Sequence, residues 1–120
     1  MSHALPVVST NIGANPEFIS EGVTGLLVRE AELRKDFGIP LQDELPLWPH
    51  ERWIKSMHSI RQLLVGELTN QVSRLVENEQ LRREMGRAGM REITNGTFSI
   101  ASRNKTLKDI LDRADGDARL

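Results

Sequence analysis

The chain has 120 residues, of which 38% are hydrophobic. That suits one globular domain and argues against disorder along the whole length. It contains no cysteine, which excludes a disulfide scaffold, a thiolate zinc site and a cysteine nucleophile. The formal net charge of −1 lacks the basic excess usual in nucleic-acid binders. No apolar run approaches the roughly 18 to 20 residues of a membrane-spanning helix. Met1-Ser2-His3-Ala4 lacks the basic and apolar regions of a signal peptide. The expectation is a soluble, cytoplasmic chain with no nucleic-acid partner.

Pro6 to Ser9 is short, β-rich and apolar, which suits a buried parallel strand. Gly13 permits a sharp turn after it. Asn15-Pro16-Glu17 predicts a helix start, with Asn15 as N-cap, Pro16 in the first turn and Glu17 complementing the positive helix end. Glu21-Gly22 stops that helix. Thr24-Gly25 turns the chain into a second strand, Leu26-Leu27-Val28. Strand, loop, short helix and strand make half of a βαβ unit. Between Arg29 and Leu47 the charges are dense, and Gly38, Pro40 and Pro46 interrupt any long helix. A surface excursion is predicted there, with one helical turn around Ala31 to Asp36.

From Pro49 the spacing becomes helical. Trp53, Ile54, Met57, Ile60, Leu64, Leu68, Val72, Leu75 and Val76 recur at three and four residues and predict one buried stripe. Asn78 interrupts the pattern and caps a helix carrying Leu81, Met85, Ala88 and Ile93, which Asn95-Gly96 ends. Ser99 is the expected N-cap of a last helix with Ile100, Leu107, Ile110, Leu111 and Ala114. The tail Asp115 to Leu120 is predicted to fray. The fold class is therefore α/β, helix-dominated, with two short parallel strands. Two such strands leave backbone groups unpaired. The chain either dimerises through them or borrows the rest of a sheet from sequence elsewhere.

Three linked blocks carry a resemblance. They are Ser2-His3-Ala4-Leu5-Pro6-Val7-Val8-Ser9-Thr10, Gly13-Ala14-Asn15-Pro16-Glu17-Phe18-Ile19 and Glu21-Gly22-Val23-Thr24-Gly25-Leu26-Leu27-Val28. They are similar to the donor-domain pattern of the group 1, or family 4, retaining glycosyltransferases, which pair two Rossmann-like domains (the GT-B type). Leu81-Arg82-Arg83-Glu84-Met85-Gly86-Arg87-Ala88-Gly89 and Thr97-Phe98-Ser99-Ile100 resemble two later helices of the same family. The resemblance covers roughly residues 2–28 and 75–114. It implies a partial Rossmann-like half-domain, with residues 1–28 as a donor-side segment, 29–57 as an insertion and 58–120 as C-terminal helices. It implies the C-terminal part of an enzyme that moves a sugar from a nucleotide-sugar donor to an acceptor, inactive as an isolated chain. No metal or other cofactor is implied. The family's Glu-x7-Glu signature is missing and would lie upstream of Met1. The acceptor-binding domain is also missing, so a missing N-terminal domain or a partner chain is expected. The alternatives are a non-catalytic interaction module that completes its sheet with a partner, and a helical protein with a vestigial β segment.

The candidate donor-binding residues are Thr10, Asn11, Gly13 and Glu17; no catalytic residue is assigned. Gly13 lies where a strand gives way to a helix, the edge where open α/β sheets bind ligands. It either lets backbone approach a sugar or phosphate or serves only the turn. Thr10 and Asn11 either bond a sugar hydroxyl or cap their own backbone. Glu17 either faces the donor or stabilises its helix start. Glu84 and Glu92 are eight apart but fall on one predicted helix, away from any donor loop. His50 and His58 are too far apart for paired metal ligands, and His3 before the strand is more simply structural. Trp53 fits the apolar stripe, and Trp48 suits packing over a helix start. Arg82, Arg83, Arg87 and Arg91 form a basic face. It either touches anionic lipid or polymer, a membrane-surface contact nothing else supports, or is a solvated face balanced by Glu79, Glu84 and Glu92.

Overall fold

A computed structural model describes residues 3–40 and 49–117. Strand β1 (Val7–Thr10) leads to helix α1 (Asn15–Phe18), strand β2 (Gly25–Val28) and helix α2 (Glu30–Asp36). Helices α3 (His50–Glu77), α4 (Glu79–Thr94) and α5 (Ile100–Asp117) follow. The predicted order of elements is present, and the architecture is helix-dominated with a two-stranded parallel sheet. Trp48 lies outside the described residues. The boundary between 57 and 58 falls inside α3, which runs on without a break.

β1 and β2 pair in register from Val7 with Gly25 to Thr10 with Val28. A β-carbon on Gly25 would stand 2.3 Å from the Val7 carbonyl oxygen, so only glycine lets the strands begin together. The two edges of the sheet are treated differently. On β2, the Glu21 carboxylate accepts the Leu27 N–H, and Glu21 itself bridges to Gly25. Covering an edge with side chains blocks further pairing there. On the far side of β1, among the described residues, no strand is present, and all four β1 residues are only half-buried.

The core lies under β2. Leu26, Leu75 and Met85 form its buried cluster, with Val8 and Leu81 packed against it. It therefore joins both strands, the end of α3 and the middle of α4. Asn78 fixes the α3–α4 corner, because its Oδ1 accepts the Leu81 N–H at 2.9 Å. Arg82 donates to the carbonyls of Leu75 and Val76 at 2.5 and 2.6 Å, satisfying the end of α3. It is thereby removed from the expected basic face, and Arg83 pairs with Glu79. At Gly86 an added β-carbon would lie 1.8 Å from the Ala4 carbonyl oxygen. The segment entering β1 thus rests directly on the backbone of α4. Ala4 itself has φ of 54°, in the left-handed region.

α2 ends in a Schellman turn. Gly38, at φ of 62°, donates to the Lys35 carbonyl, and Ile39 donates to the Arg34 carbonyl. Ile39, which follows the turn, is buried. Arg34 forms a buried ion pair with Glu30 and donates to the Pro40 carbonyl at 3.3 Å.

Three expectations need correction. Asn15 is not the cap of α1. Ala14 holds that place, and the Asn15 amide donates instead to the Thr10 carbonyl at 3.0 Å. The α3 stripe is not buried along its length. Ile60 and Leu75 are enclosed, whereas Ile54, Leu68, Val72 and Val76 face outward, because the sheet is too narrow to cover a 28-residue helix. Of the tail expected to fray, Asp115 to Asp117 are assigned to α5, and residues 118–120 lie outside the described residues. The helical turn near Ala31 is a seven-residue helix beginning at Glu30.

Replacing Gly86 by Ala is expected to cost about 2 kcal/mol or more through backbone overlap. Ala4→Gly should instead stabilise by about 1 kcal/mol by relieving the left-handed φ. Urea melts of the two variants check both signs.

Candidate functional site

The C-terminal ends of β1 and β2 form one edge, and the turn from β1 into α1 lies on it. Thr10 is half-buried and level with Val28. Asn11 extends the ladder by donating its N–H to the Val28 carbonyl at 2.9 Å. Gly13 follows at φ of 58° and is exposed. Glu17 is exposed in the first turn of α1. Thr10, Asn11 and Gly13 therefore share one turn, and Glu17 stands one helical turn beyond it.

The Asn11 side chain serves the fold. Its Nδ2 donates to Glu32 Oε2 at 2.7 Å, and its Oδ1 accepts the Ala31 N–H at 2.8 Å. One amide thus satisfies an orphan N–H at the start of α2 and ties that helix to the end of β1. The hydrogen bond from Asn11 is the main cause that holds the Glu32 carboxyl below its ordinary value, with a backbone hydrogen bond adding to it. The Thr10 carbonyl is occupied by Asn15. What the turn still presents outward is the exposed Gly13–Ala14 backbone and the Glu17 carboxylate. Exposed backbone at the end of parallel strands suits contact with hydroxyl or phosphate oxygens.

Two aromatic residues brace this edge. The Phe18 ring, next to Glu17, lies 5.3 Å between centroids from Phe98, tilted at 43°. Phe98 directly precedes Ser99, the buried residue whose Oγ accepts the Ser102 N–H at 3.1 Å and starts α5. Nothing in the sequence marks Glu32 or Phe98 as a site residue. Glu32 is 21 residues from Asn11, and no local spacing marks such a pair.

The other sequence candidates lie elsewhere. Glu84 accepts from Gln80 on α4, and Glu92 accepts the Thr97 N–H beyond its end. His50 stacks on Trp53 at 6.5 Å between centroids. Among the described residues, no group of three or more metal-ligating side chains comes together, and no helix is long and apolar enough to cross a membrane.

Asn11→Ala is expected to raise the Glu32 pKa toward 4.5. Because the folded-state value is depressed, this interaction stabilises the fold above the ordinary carboxylate range. Its contribution is lost as pH falls through the lowered value. Carbon-13 NMR titration of the Glu32 carboxyl in both proteins checks the shift. Releasing the Ala31 N–H should cost about 1 kcal/mol at neutral pH. No protein-family pattern, curated protein or solved structure matches this chain.

Proposed function

We propose that this chain is the C-terminal, donor-side part of a retaining glycosyltransferase built on two Rossmann-like domains. The observation that carries the reading is the parallel pair β1–β2, in register, with the Gly13 turn at its C-terminal edge. Those elements coincide with the three motif blocks between Ser2 and Val28. Ligands of open α/β sheets lie outside the carboxyl ends of the strands. In this reading the Gly13–Ala14 backbone approaches the donor, and Thr10 and Glu17 flank it. Asn11 acts indirectly, by holding the turn against α2. When the intact enzyme cleaves the bond between the sugar and the nucleotide diphosphate, charge develops on the leaving diphosphate. Fixed N–H groups stabilise such charge without reorganising.

The isolated 120-residue chain transfers no sugar in this proposal. Its Glu-x7-Glu spacing occurs only as Glu84 and Glu92, both on α4, away from the sheet edge that would meet a donor. Completion of the sheet beside β1 is the requirement shared with the second reading, a non-catalytic module that takes its missing strands from a partner. Among the described residues no strand lies beside β1 on its far side, whereas Glu21 covers the edge of β2, which favours growth of the sheet on the β1 side.

Titration with uridine and guanosine diphosphates, followed by amide NMR shifts, separates the readings. The donor reading expects shifts concentrated at Thr10 to Glu17, with no turnover of a nucleotide-sugar panel. Absence of shifts there with either nucleotide leaves the interaction module as the better account. Robust sugar transfer by the chain alone would overturn the claim that it is catalytically incomplete.

A further inference from the structure

The joint between α4 and α5 places an asparagine directly before a glycine, Asn95-Gly96. Of the six asparagines in the chain, only Asn95 has that neighbour; the others precede Ile12, Pro16, Gln71, Glu79 and Lys105. The pairing has a chemical consequence. The backbone nitrogen that follows an asparagine is placed to attack its side-chain amide carbon, and a glycine there has no β-carbon to hinder the approach. Asparagine counts among the thermolabile residues.

The crowded end of α4 requires this glycine. A β-carbon on Gly96 would stand 2.7 Å from Glu92 Cα and press on the Glu92 carboxylate. That carboxylate accepts the Thr97 N–H at 3.3 Å, and the Gly96 carbonyl accepts the Ser99 N–H at 3.0 Å. Asn95 ends the helix at φ of −133° and ψ of −6°.

The same geometry restrains the chemistry. At that ψ the Gly96 nitrogen eclipses the backbone nitrogen of Asn95 and is turned away from its Cβ. A five-membered ring closes only when the Gly96 nitrogen swings toward Cβ. Its N–H is also donated to the Arg91 carbonyl at 3.0 Å, beside the Asn95 N–H at 2.8 Å, and attack needs that proton gone. The Asn95 residue itself is exposed. Reaction therefore waits on opening of the joint. Among the described residues no element packs extensively on α5, which is held at its start by Ser99 and the Phe98–Phe18 contact. Segments held by so few contacts open at small free energy.

We infer that Asn95-Gly96 is a self-modification site, where the chain converts its own asparagine to aspartate or isoaspartate at a rate set by opening of the α4–α5 joint. The Gly96 nitrogen gives up its proton and bonds to Asn95 Cγ. The bond from Cγ to the amide nitrogen breaks, and ammonia leaves. Water then opens the cyclic imide at either carbonyl. One cleavage leaves aspartate; the other leaves isoaspartate, with the main chain running through the former side chain. Either product loosens the site that made it. A carboxylate at the C-terminal end of α4 opposes the helix macrodipole and lies three residues from Glu92, as a like-charge neighbour. Isoaspartate also lengthens the backbone by one carbon before Phe98, which draws that ring off Phe18. The inference is independent of the sugar-transfer reading, because none of these residues is a donor candidate.

Ageing the full chain in mildly alkaline buffer, followed by tryptic peptide mapping, tests it. Trypsin isolates Asn95 in the peptide Glu92–Arg103, apart from the other five asparagines. The expected result is conversion at Asn95 ahead of the rest, with aspartate and isoaspartate both formed. It should run between about tenfold and a hundredfold slower than in the free synthetic peptide Glu92–Arg103, because the rate follows the open fraction. Glu92→Ala, which removes the acceptor of the Thr97 N–H, should speed conversion about threefold or more. That change should exceed the one the same substitution makes in the peptide, with the urea midpoint of the Leu26–Leu75–Met85 core retained. Asn95→Asp should raise amide hydrogen exchange at Gly96 and Thr97 about two- to fivefold. Conversion as fast as in the free peptide, an asparagine elsewhere reacting first, or an Asn95 left intact beyond the hundredfold bound overturns the proposal. Unchanged exchange at Gly96 and Thr97 in the Asn95→Asp protein does so as well.

Discussion

The Val7 carbonyl oxygen lies only 2.3 Å from where a β-carbon of Gly25 would stand, and the Ala4 carbonyl oxygen only 1.8 Å from where one of Gly86 would stand. These two close approaches fix β1 from two directions: against β2 at its start, and against α4 along the segment that enters it. Everything at the candidate edge inherits its position from them. The register Val7–Gly25 to Thr10–Val28 follows, and with it the level at which Asn11 meets Val28 and Gly13 turns. The core cluster of Leu26, Leu75 and Met85 closes around the same point. Apolar burial supplies the cohesion here, and the two glycines supply the geometry.

From that anchored strand, order spreads outward by polar contacts that each join two elements. Asn11 joins β1 to α2, Glu21 covers β2, and Arg82 closes α3 from α4. Phe18 and Phe98 join α1 to the start of α5. The candidate edge is therefore stiffened from its flanks, and its outward surface is left to backbone and a single carboxylate. A donor-binding role needs that division, since preorganised N–H groups act well only when their support lies elsewhere.

Much of this was legible in the residues. β-rich runs bounded by Gly13 and Gly25 predict two strands, and Asn78, Asn95-Gly96 and Ser99 predict the helix ends, because caps act on groups three or four residues away. What the sequence hid was long-range. Nothing near Asn11 announces a helix start 20 residues on, so a residue equally suited to a ligand turns inward. Asn15 has a capping side chain, but a carbonyl five residues back offers it a partner. Apolar periodicity in α3 and α5 marks faces that want covering. Periodicity alone does not say where the cover comes from, and here Leu68, Val72, Leu107 and Leu111 stay largely exposed among the described residues.

Asn78 belongs to two helices at once, ending α3 and opening α4 with no intervening residue. Such a joint has no slack. Adding even one residue there would turn α4 by about 100° relative to α3 and swing Met85 out of register with Leu26. A length change at this corner therefore costs both the Asn78 cap and the packing of Met85 against Leu26.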